Sequence, residues 1–330
     1  MSMFFIDGKN VDPCYNLAFE EYFFRSPPVP GDFFLLWQND NAVIVGKNQN
    51  SLEEVNLSYT NENNIKVVRR ITGGGAVYHD LGNINFSFIQ NKDDFSKVDM
   101  KAFIKPIIKA LHEIGVEAEF NSRNDITIDG RKFSGNAQLV KDNRILHHGT
   151  LLFRSNLEIM TKSLNVSANK LAAKNLQSVH SRVTNIGDHV GCDVTLEDFK
   201  NSLISSMSKQ FQLKPYLLTE QDEEAIRLLR EKYTTWDWNF GKSPVYNTKK
   251  EVRLSESGMI TLYLLLEQDT INNIKIHGDF FGTEDIADLE KMLTGQKLNE
   301  DSIKQILNDI SLEQYVHGMT VDQFIKLLIS

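Results

Sequence analysis

The amino-acid sequence predicts an α+β protein of two unequal domains, and three observations carry that prediction. The chain has 330 residues, more than one small core normally holds. Its strand-like and helical segments do not alternate as a βαβ series would, which argues for a mixed or antiparallel sheet. Past Tyr246 the pattern changes, to three short strands followed by three helices. The expected organisation is a large catalytic domain over residues 1–240 on a mixed or antiparallel sheet, and a small α+β accessory domain over 246–330.

Each element has its own signal. Asp12-Pro13 reads as an N-cap with proline at the first helical position, and Pro27 and Pro28 stop that helix. Residues 33–37 and 42–46 read as short strands around a polar turn, followed by a helix near 52–62 and a strand at 66–70. A strand is expected at 83–89, then a helix over 99–115 that Pro106 should start or kink. Strand-like runs follow at 118–120 into 125–128, at 132–140 and at 145–153, with Asp129-Gly130 supplying turn chemistry. Helices are expected at 156–164, 195–210 and 220–233. The aromatic-rich stretch 234–246 reads as an interdomain connector and candidate hinge, with the C-terminal domain as a cover. Beyond it, strands are expected at 251–255, 259–267 and 271–277, and helices near 284–293, 302–310 and 321–329.

Composition narrows the function. Hydrophobic content of 41% and charged content of 24% suit a globular protein, and no apolar run reaches the length of a membrane span. The N-terminus shows no export signal, and Cys14 and Cys192 are too far apart to read as a thiolate metal motif. A reducing cytoplasm is therefore expected. The net charge is −8, of which the 8 Lys+Arg against 14 Asp+Glu from Tyr246 onward supply −6. So acidic a chain is a poor nonspecific nucleic-acid binder, and phosphate must be held locally.

Three strings carry the chemistry. In Arg69-Arg70-Ile71-Thr72-Gly73-Gly74-Gly75, a triple glycine after a strand lets the backbone approach a ligand and aim N–H groups at an anion. The paired arginines add positive charge able to fork onto phosphate or carboxylate. No Walker or G-x-G-x-x-G pattern is present. In the second string, Arg123-Asn124-Asp125 precedes Lys132, Ser134 and Gly135; a lysine between a carboxylate and an α-phosphate would stabilise the charge of acyl adenylation. In the third, His147-His148, adjacent strand side chains point to opposite faces, so the pair cannot ligate one ion. His147 is read as core-facing, and His148 is kept as a candidate binding residue.

Together RRITGGGAVYHDLGNINFSF, RNDITIDGRKFSG and HHGTLLF, with WDWNFGKSP and IKIHGDFFG beyond them, resemble the lipoate–protein ligase family over nearly the whole chain. The resemblance implies the biotin and lipoate ligase fold with a C-terminal accessory domain. It implies formation of lipoyl-AMP from lipoate (or octanoate) and ATP with Mg²⁺. Transfer would follow to a lysine of a lipoyl domain of a 2-oxoacid dehydrogenase complex or of the glycine-cleavage H protein, with no nucleic acid or membrane involved. Carried over, Arg70 and Gly75, Ala76, Val77 and Tyr78 match the nucleotide-binding segment, with Gly73 and Gly74 in the same loop. Asn83 and Asp125 match polar positions lining the adenylate, Thr72 a position beside the acyl end, and Lys132 the lysine touching both carboxylate and phosphate. Asp125 is the best protein candidate for Mg²⁺, whose ligands are otherwise unassigned. Leu139 stands where some members have arginine, and Asn136 where relatives have a smaller residue.

The rival of the same fold is an octanoyl or lipoyl transferase working through a cysteine thioester, without ATP. Residues 165–185, where that thiol would fall, contain no cysteine, which leaves Cys192. A biotin ligase and a non-catalytic scaffold that binds a lipoylated partner are the remaining alternatives.

Overall fold

The computed structural model describes residues 2–91, 100–121, 124–165, 182–241, 244–254 and 258–329. Arg123 and most of the segment 165–185 lie outside them.

The large domain is built on an eight-stranded mixed sheet. Strands β1 (Ser2–Asp7) and β2 (Phe33–Trp37) pair in parallel. Strand β6 (Asn83–Asn91) runs antiparallel to β2, followed by β10 (Arg144–Leu152), β9 (Arg131–Lys141), β8 (Asp125–Ile128) and β7 (Glu119–Phe120). Strand β11 (Gln212–Pro215) lies on the far side of β1. A three-stranded sheet, β4 (Lys66–Arg69), β3 (Ala42–Val45) and β5 (Val77–His79), sits beside it and presents the glycine loop between β4 and β5. One core, containing Phe34, Phe86, Phe88 and Phe133, packs helices α4 (Lys101–Glu113) and α6 (Leu196–Gln210) against the sheet, and the short α5 (Leu157–Ser163) lies between them in the chain. A second, containing Phe19, Phe23, Phe33 and Trp37, holds α1 (Pro13–Arg25) and α7 (Glu220–Thr234).

Several expectations change. The helix expected near 52–62 is two short helices, α2 (Ser51–Glu54) and α3 (Leu57–Glu62); the Asn56 side chain accepts from Tyr59 N and starts the second. Pro106 sits inside α4 without ending it. The carbonyl its missing N–H would have used belongs to Ala102, on an exposed first turn where water can serve it. Asp12 makes no cap hydrogen bond, because its carboxylate pairs with Lys66 at 2.8 Å and Arg230 at 2.7 Å. Strands β1, β5 and β11 were not expected from the sequence: β5 is only three residues long, and β1 and β11 lack a run of buried residues such as β2 and β3 have.

The connector is not free chain. Its first half forms α8 (Trp236–Phe240), locked to the end of β4: Asn239 Oδ1 accepts from Arg69 N at 2.8 Å, and Trp238 Nε1 donates to Arg69 O at 2.8 Å. After it come the antiparallel strands β12 (Thr248–Leu254), β13 (Gly258–Glu267) and β14 (Thr270–Gly278). Helices α9 (Ile286–Leu293), α10 (Glu300–Asn308) and α12 (Val321–Ile329) surround an aliphatic core with them, and the short α11 (Leu312–Tyr315) precedes α12.

Candidate functional site

The glycine loop crosses the ends of β3 and β4 at close quarters. A Cβ on Gly46 would lie 2.0 Å from Gly74 O, and Gly74 itself has φ +88°, a conformation only glycine adopts freely. Gly73 is small for a different reason: a Cβ there would lie 2.4 Å from the carbonyl oxygen of Phe280, just past β14 in the C-terminal domain. Gly75 alone of the three meets nothing within 4 Å. Packing does not explain its size, so the space above it is available to a ligand.

The two arginines before the loop divide their roles. Arg69 is fully buried, and its guanidinium donates to the carbonyls of Gly46, Lys47, Gln49, Trp238 and Asn239 and to Ser51 Oγ. It has no N–H left for phosphate, which corrects the expectation that both arginines fork onto an anion. Arg70 turns to the opposite side, as strand alternation requires. Its Nε donates to Thr72 Oγ1, and its two terminal nitrogens to the carbonyls of Ile44, Gly73 and Gly75. Burial lowers its pKa to about 10, still far above neutrality. Arg70 thus braces the loop from beneath while keeping positive charge against the cavity it lines.

Two cavities meet at Lys132. The deeper, about 100 Å³, runs from Gly74 and Gly75 inward to Leu17, Trp37, Ile44 and Ala137, with Arg70, His79, Asn85, Asn136 and His148 on its walls. The other, about 190 Å³, lies between Val77, Tyr78, Leu152, Met160, Leu164 and Val183. Ala76, Val77, Lys132, Gly135 and Thr150 border both.

Lys132 owes its position to a β-bulge. Ile126 pairs with Ser134 and Thr127 with Lys132, so Phe133 is an extra residue in β9 and re-aims the side chain before it. Its Nζ lies 2.6 Å from Asp125 Oδ1 and drapes over Gly135, where a Cβ would come within 3.0 Å of it.

Behind the deep cavity runs a buried hydrogen-bonded chain. Trp37 Nε1 donates to Ser87 Oγ at 2.9 Å, and Ser87 donates to Glu20 at 2.6 Å. His148 Nδ1 donates to Glu20 at 2.9 Å, and its Nε2 meets Thr72 Oγ1 at 2.9 Å. His148 is thereby fixed at both ring edges and faces the cavity. His147 points to the other side, stacked on Phe103 with ring centroids 5.0 Å apart.

Of the residues expected in the site, Arg70, Gly74, Gly75, Ala76, Val77, Lys132 and His148 line the deep cavity, and Tyr78 lines only the other. Thr72 and Gly73 lie beneath the loop rather than on a cavity wall, and Asp125 reaches the site through Lys132. Asn83 lines neither cavity: its Nδ2 donates to Asn85 Oδ1 at 3.0 Å, and Asn85 is the residue that lines. Asn136 lines the deep cavity, while Leu139 is partly buried and packs against the core. Glu20, Trp37 and His79 were not foreseen. Their signals were two acids in the apolar run of α1, a tryptophan ending β2, and a histidine inside the first motif.

Among the described residues no group of three or more His, Cys, Asp or Glu could hold a metal ion. Asp125, the carboxylate nearest Lys132, is already paired. Such a donor set offers Mg²⁺ at most one carboxylate, so the ion would bind chiefly through phosphate oxygens and water.

The family model described as "Lipoyl protein ligase A/B catalytic domain" matches residues 12–208, and "Bacterial lipoate protein ligase C-terminus" matches 243–328. The chain is 43% identical over 310 residues to lipoate-protein ligase LplJ of Bacillus subtilis (strain 168), covering 92% of this chain and 93% of that protein. The crystal structure of P. falciparum LipL1 in complex with lipoate shares the fold at TM-score 0.81 and 24% identity, covering 99% of both chains. A crystal structure of lipoate-protein ligase A bound with ATP matches at TM-score 0.61 and 28% identity, over 73% of this chain and 98% of that one.

Proposed function

This chain belongs to the lipoate–protein ligase family, and we propose that its two cavities are the acyl and nucleotide halves of one adenylation site joined at Lys132. The protein is an ATP-dependent lipoate–protein ligase, making lipoyl-AMP from lipoate and ATP and passing the lipoyl group to a lysine of an acceptor protein. The observation that carries the site assignment is the shared border of the two cavities, where Lys132 stands.

The deep cavity ends among Leu17, Trp37 and Ile44, and suits a flexible apolar chain that must shed water with its carboxylate left at the mouth. The other cavity has Val77, Leu152, Met160 and Leu164 to sandwich a purine. A carboxylate oxygen attacks the α-phosphorus between them, and pyrophosphate leaves. Lys132, released from Asp125, neutralises the crowded oxygens, while the loop N–H groups near Gly75 receive phosphate. In the second half, the acceptor amine attacks the acyl carbon, an amide forms, and AMP departs with the anhydride oxygen. Mg²⁺, when bound, screens the phosphates.

We take residues 1–240 as the catalytic unit and 246–330 as the accessory one, with Phe280 and Phe281 of the latter resting on Gly73 and Gly74 as a cover. Lipoyl domains of 2-oxoacid dehydrogenase complexes and the glycine-cleavage H protein are the acceptors proposed, in the cytoplasm where ATP is supplied. Among the described residues no helix is long and apolar enough to cross a membrane.

Lipoate-dependent ATP–pyrophosphate exchange tests the first half-reaction, and AMP release coupled to a mass gain of the acceptor lysine tests the second. Acyl transfer without ATP would overturn the reading.

A further inference from the structure

His79 ends β5 with its ring on the wall of the deep cavity, and its neighbours reveal where its proton sits. The Asn16 carboxamide nitrogen faces two backbone carbonyls, Asn10 O at 2.9 Å and Gln38 O at 2.6 Å, which admits one orientation of that amide. The same nitrogen meets Asn39 Oδ1 at 3.0 Å, so the Asn39 amide is fixed in turn and its Nδ2 donates to His79 Nδ1 at 3.1 Å. Nδ1 is therefore an acceptor. Burial, reinforced by the nearby Arg70 charge, pushes the imidazole pKa down to about 3, so the ring is neutral at physiological pH. A neutral ring that accepts at Nδ1 carries its proton at Nε2.

That Nε2–H is buried and has no hydrogen-bond partner among the described residues, in a side chain only 3% exposed. A buried donor left unpaired is costly, and this one stands on a cavity wall, where a partner can arrive from outside. The surrounding wall narrows the partner's chemistry. Trp37 stands edge-on to His79, 6.4 Å between centroids, with its own N–H already given to Ser87. Leu17, Ile44 and Ala137 offer only hydrocarbon. Arg70, Asn85, Asn136 and His148 stand on the other walls, so the apolar end is where an acceptor must be weak enough to leave water.

Resting on the reading that the acyl chain fills this cavity with its carboxylate at Lys132, we infer that His79 is a specificity residue whose Nε2–H meets a sulfur of the dithiolane ring. Divalent sulfur is a weak acceptor that also packs well against aromatic edges such as Trp37. A saturated chain of the same length fills the space and leaves the N–H orphaned. That asymmetry, more than the fit of the ring, selects lipoyl over octanoyl.

Pyrophosphate exchange with lipoate, octanoate and 5-cyclopentylpentanoate tests this, the last acid keeping the ring but replacing both sulfurs with methylenes. Wild-type kcat/KM should favour lipoate over the cyclopentyl acid by about tenfold or more, the scale on which a site penalises a missing hydrogen-bonding group. His79→Phe should bring the two within about threefold, chiefly by slowing lipoate, whereas His79→Gln, which keeps a donor, should retain the preference. Equal use of the two ring acids by the wild type overturns the inference without needing any variant to fold. So does a preference that survives in folded His79→Phe. No exchange with any of the three acids would instead overturn the adenylation reading beneath it.

Discussion

The deep cavity and the core of the C-terminal domain are both buried, yet polar side chains stand on the walls of one and hydrocarbon fills the other. Around the cavity, His79 Nε2, Asn85 Nδ2 and Asn136 Oδ1 are buried without partners. In the C-terminal domain, Ile260, Leu262, Leu289, Phe324 and Leu328 fill the interior, and the buried carboxylate of Glu290 is met by Lys275 at 2.5 Å and by Ile276 N at 2.8 Å. A core that only has to hold a shape can be filled with hydrocarbon, although orphans such as Arg253 Nη1 and His147 Nε2 also occur away from the cavity. Three unpaired groups around one cavity fit a site that a ligand completes.

The largest effect should come from the group between the two cavities. Lys132→Ala should cut lipoate-dependent pyrophosphate exchange by about 100-fold or more, the scale of losing a preorganised charge. Its side chain is over a third exposed, so the melting temperature should barely move. Near wild-type exchange by the folded variant would show that Lys132 does not carry the chemistry.

The neighbouring glycines sharpen the contrast. Gly73→Ala forces a Cβ toward the Phe280 carbonyl, a backbone atom that cannot step aside, and should destabilise by roughly 1–3 kcal/mol. Gly75→Val enters open space, and should weaken nucleotide binding by about tenfold or more, equivalent to about 1.4 kcal/mol, at unchanged melting temperature. Calorimetry beside ATP titration separates the two. Parallel losses in both variants would make the whole loop structural.

Much of this was legible in the sequence, and the failures have physical causes. The glycine loop and the mixed sheet were readable because strand periodicity and glycine's freedom act locally, whereas Lys132 stood out only through the family resemblance. The same two-residue alternation that separated His147 from His148 also separates Arg69 from Arg70, but which face is the ligand side depends on Asn239, 170 residues away. Glu20 and His148 meet across 128 residues, and the orphaned edge of His79 exists only once Asn16 and Asn39 are folded against it. Partners set by tertiary contact leave no local pattern.

Acid should expose the two buried neutral histidines. His79 and His147 both have pKa values lowered to about 3 by burial, with neighbouring positive groups adding to the shift. Their folded values lie below the ordinary 6.5, so the unfolded chain binds more protons below about pH 6.5 and stability falls as pH drops toward 3. Each contributes a slope of about 1.4 kcal/mol per pH unit in that window. His147→Phe, on the side facing Phe103, should flatten part of the decline of melting temperature with pH while leaving exchange activity intact. An unchanged slope would mean that His147 is already protonated in the fold.

The smallest effect should come from the cysteines, and its smallness is informative. A thioester route needs an activated thiolate beside the acyl carbon. Cys14 is buried, its pKa is raised chiefly by that burial, and its Sγ lies 3.5 Å from Tyr233 O, on the side of α1 that packs against α7. Cys192 is exposed, and neither residue lines either cavity. Replacing both by serine should therefore leave ATP-dependent lipoyl transfer within about twofold of wild type. The stability change should stay near the roughly 0.5–3 kcal/mol of ordinary substitutions, and arise at Cys14. Mass spectrometry of the enzyme after reaction with acyl donor, in the absence of the acceptor, provides the decisive readout. A lipoyl or octanoyl adduct on Cys192, together with loss of transfer in folded Cys192→Ser, would move the chemistry from the Lys132 junction to a surface thiol, and the unpaired groups gathered around the cavity would then have pointed to the wrong place.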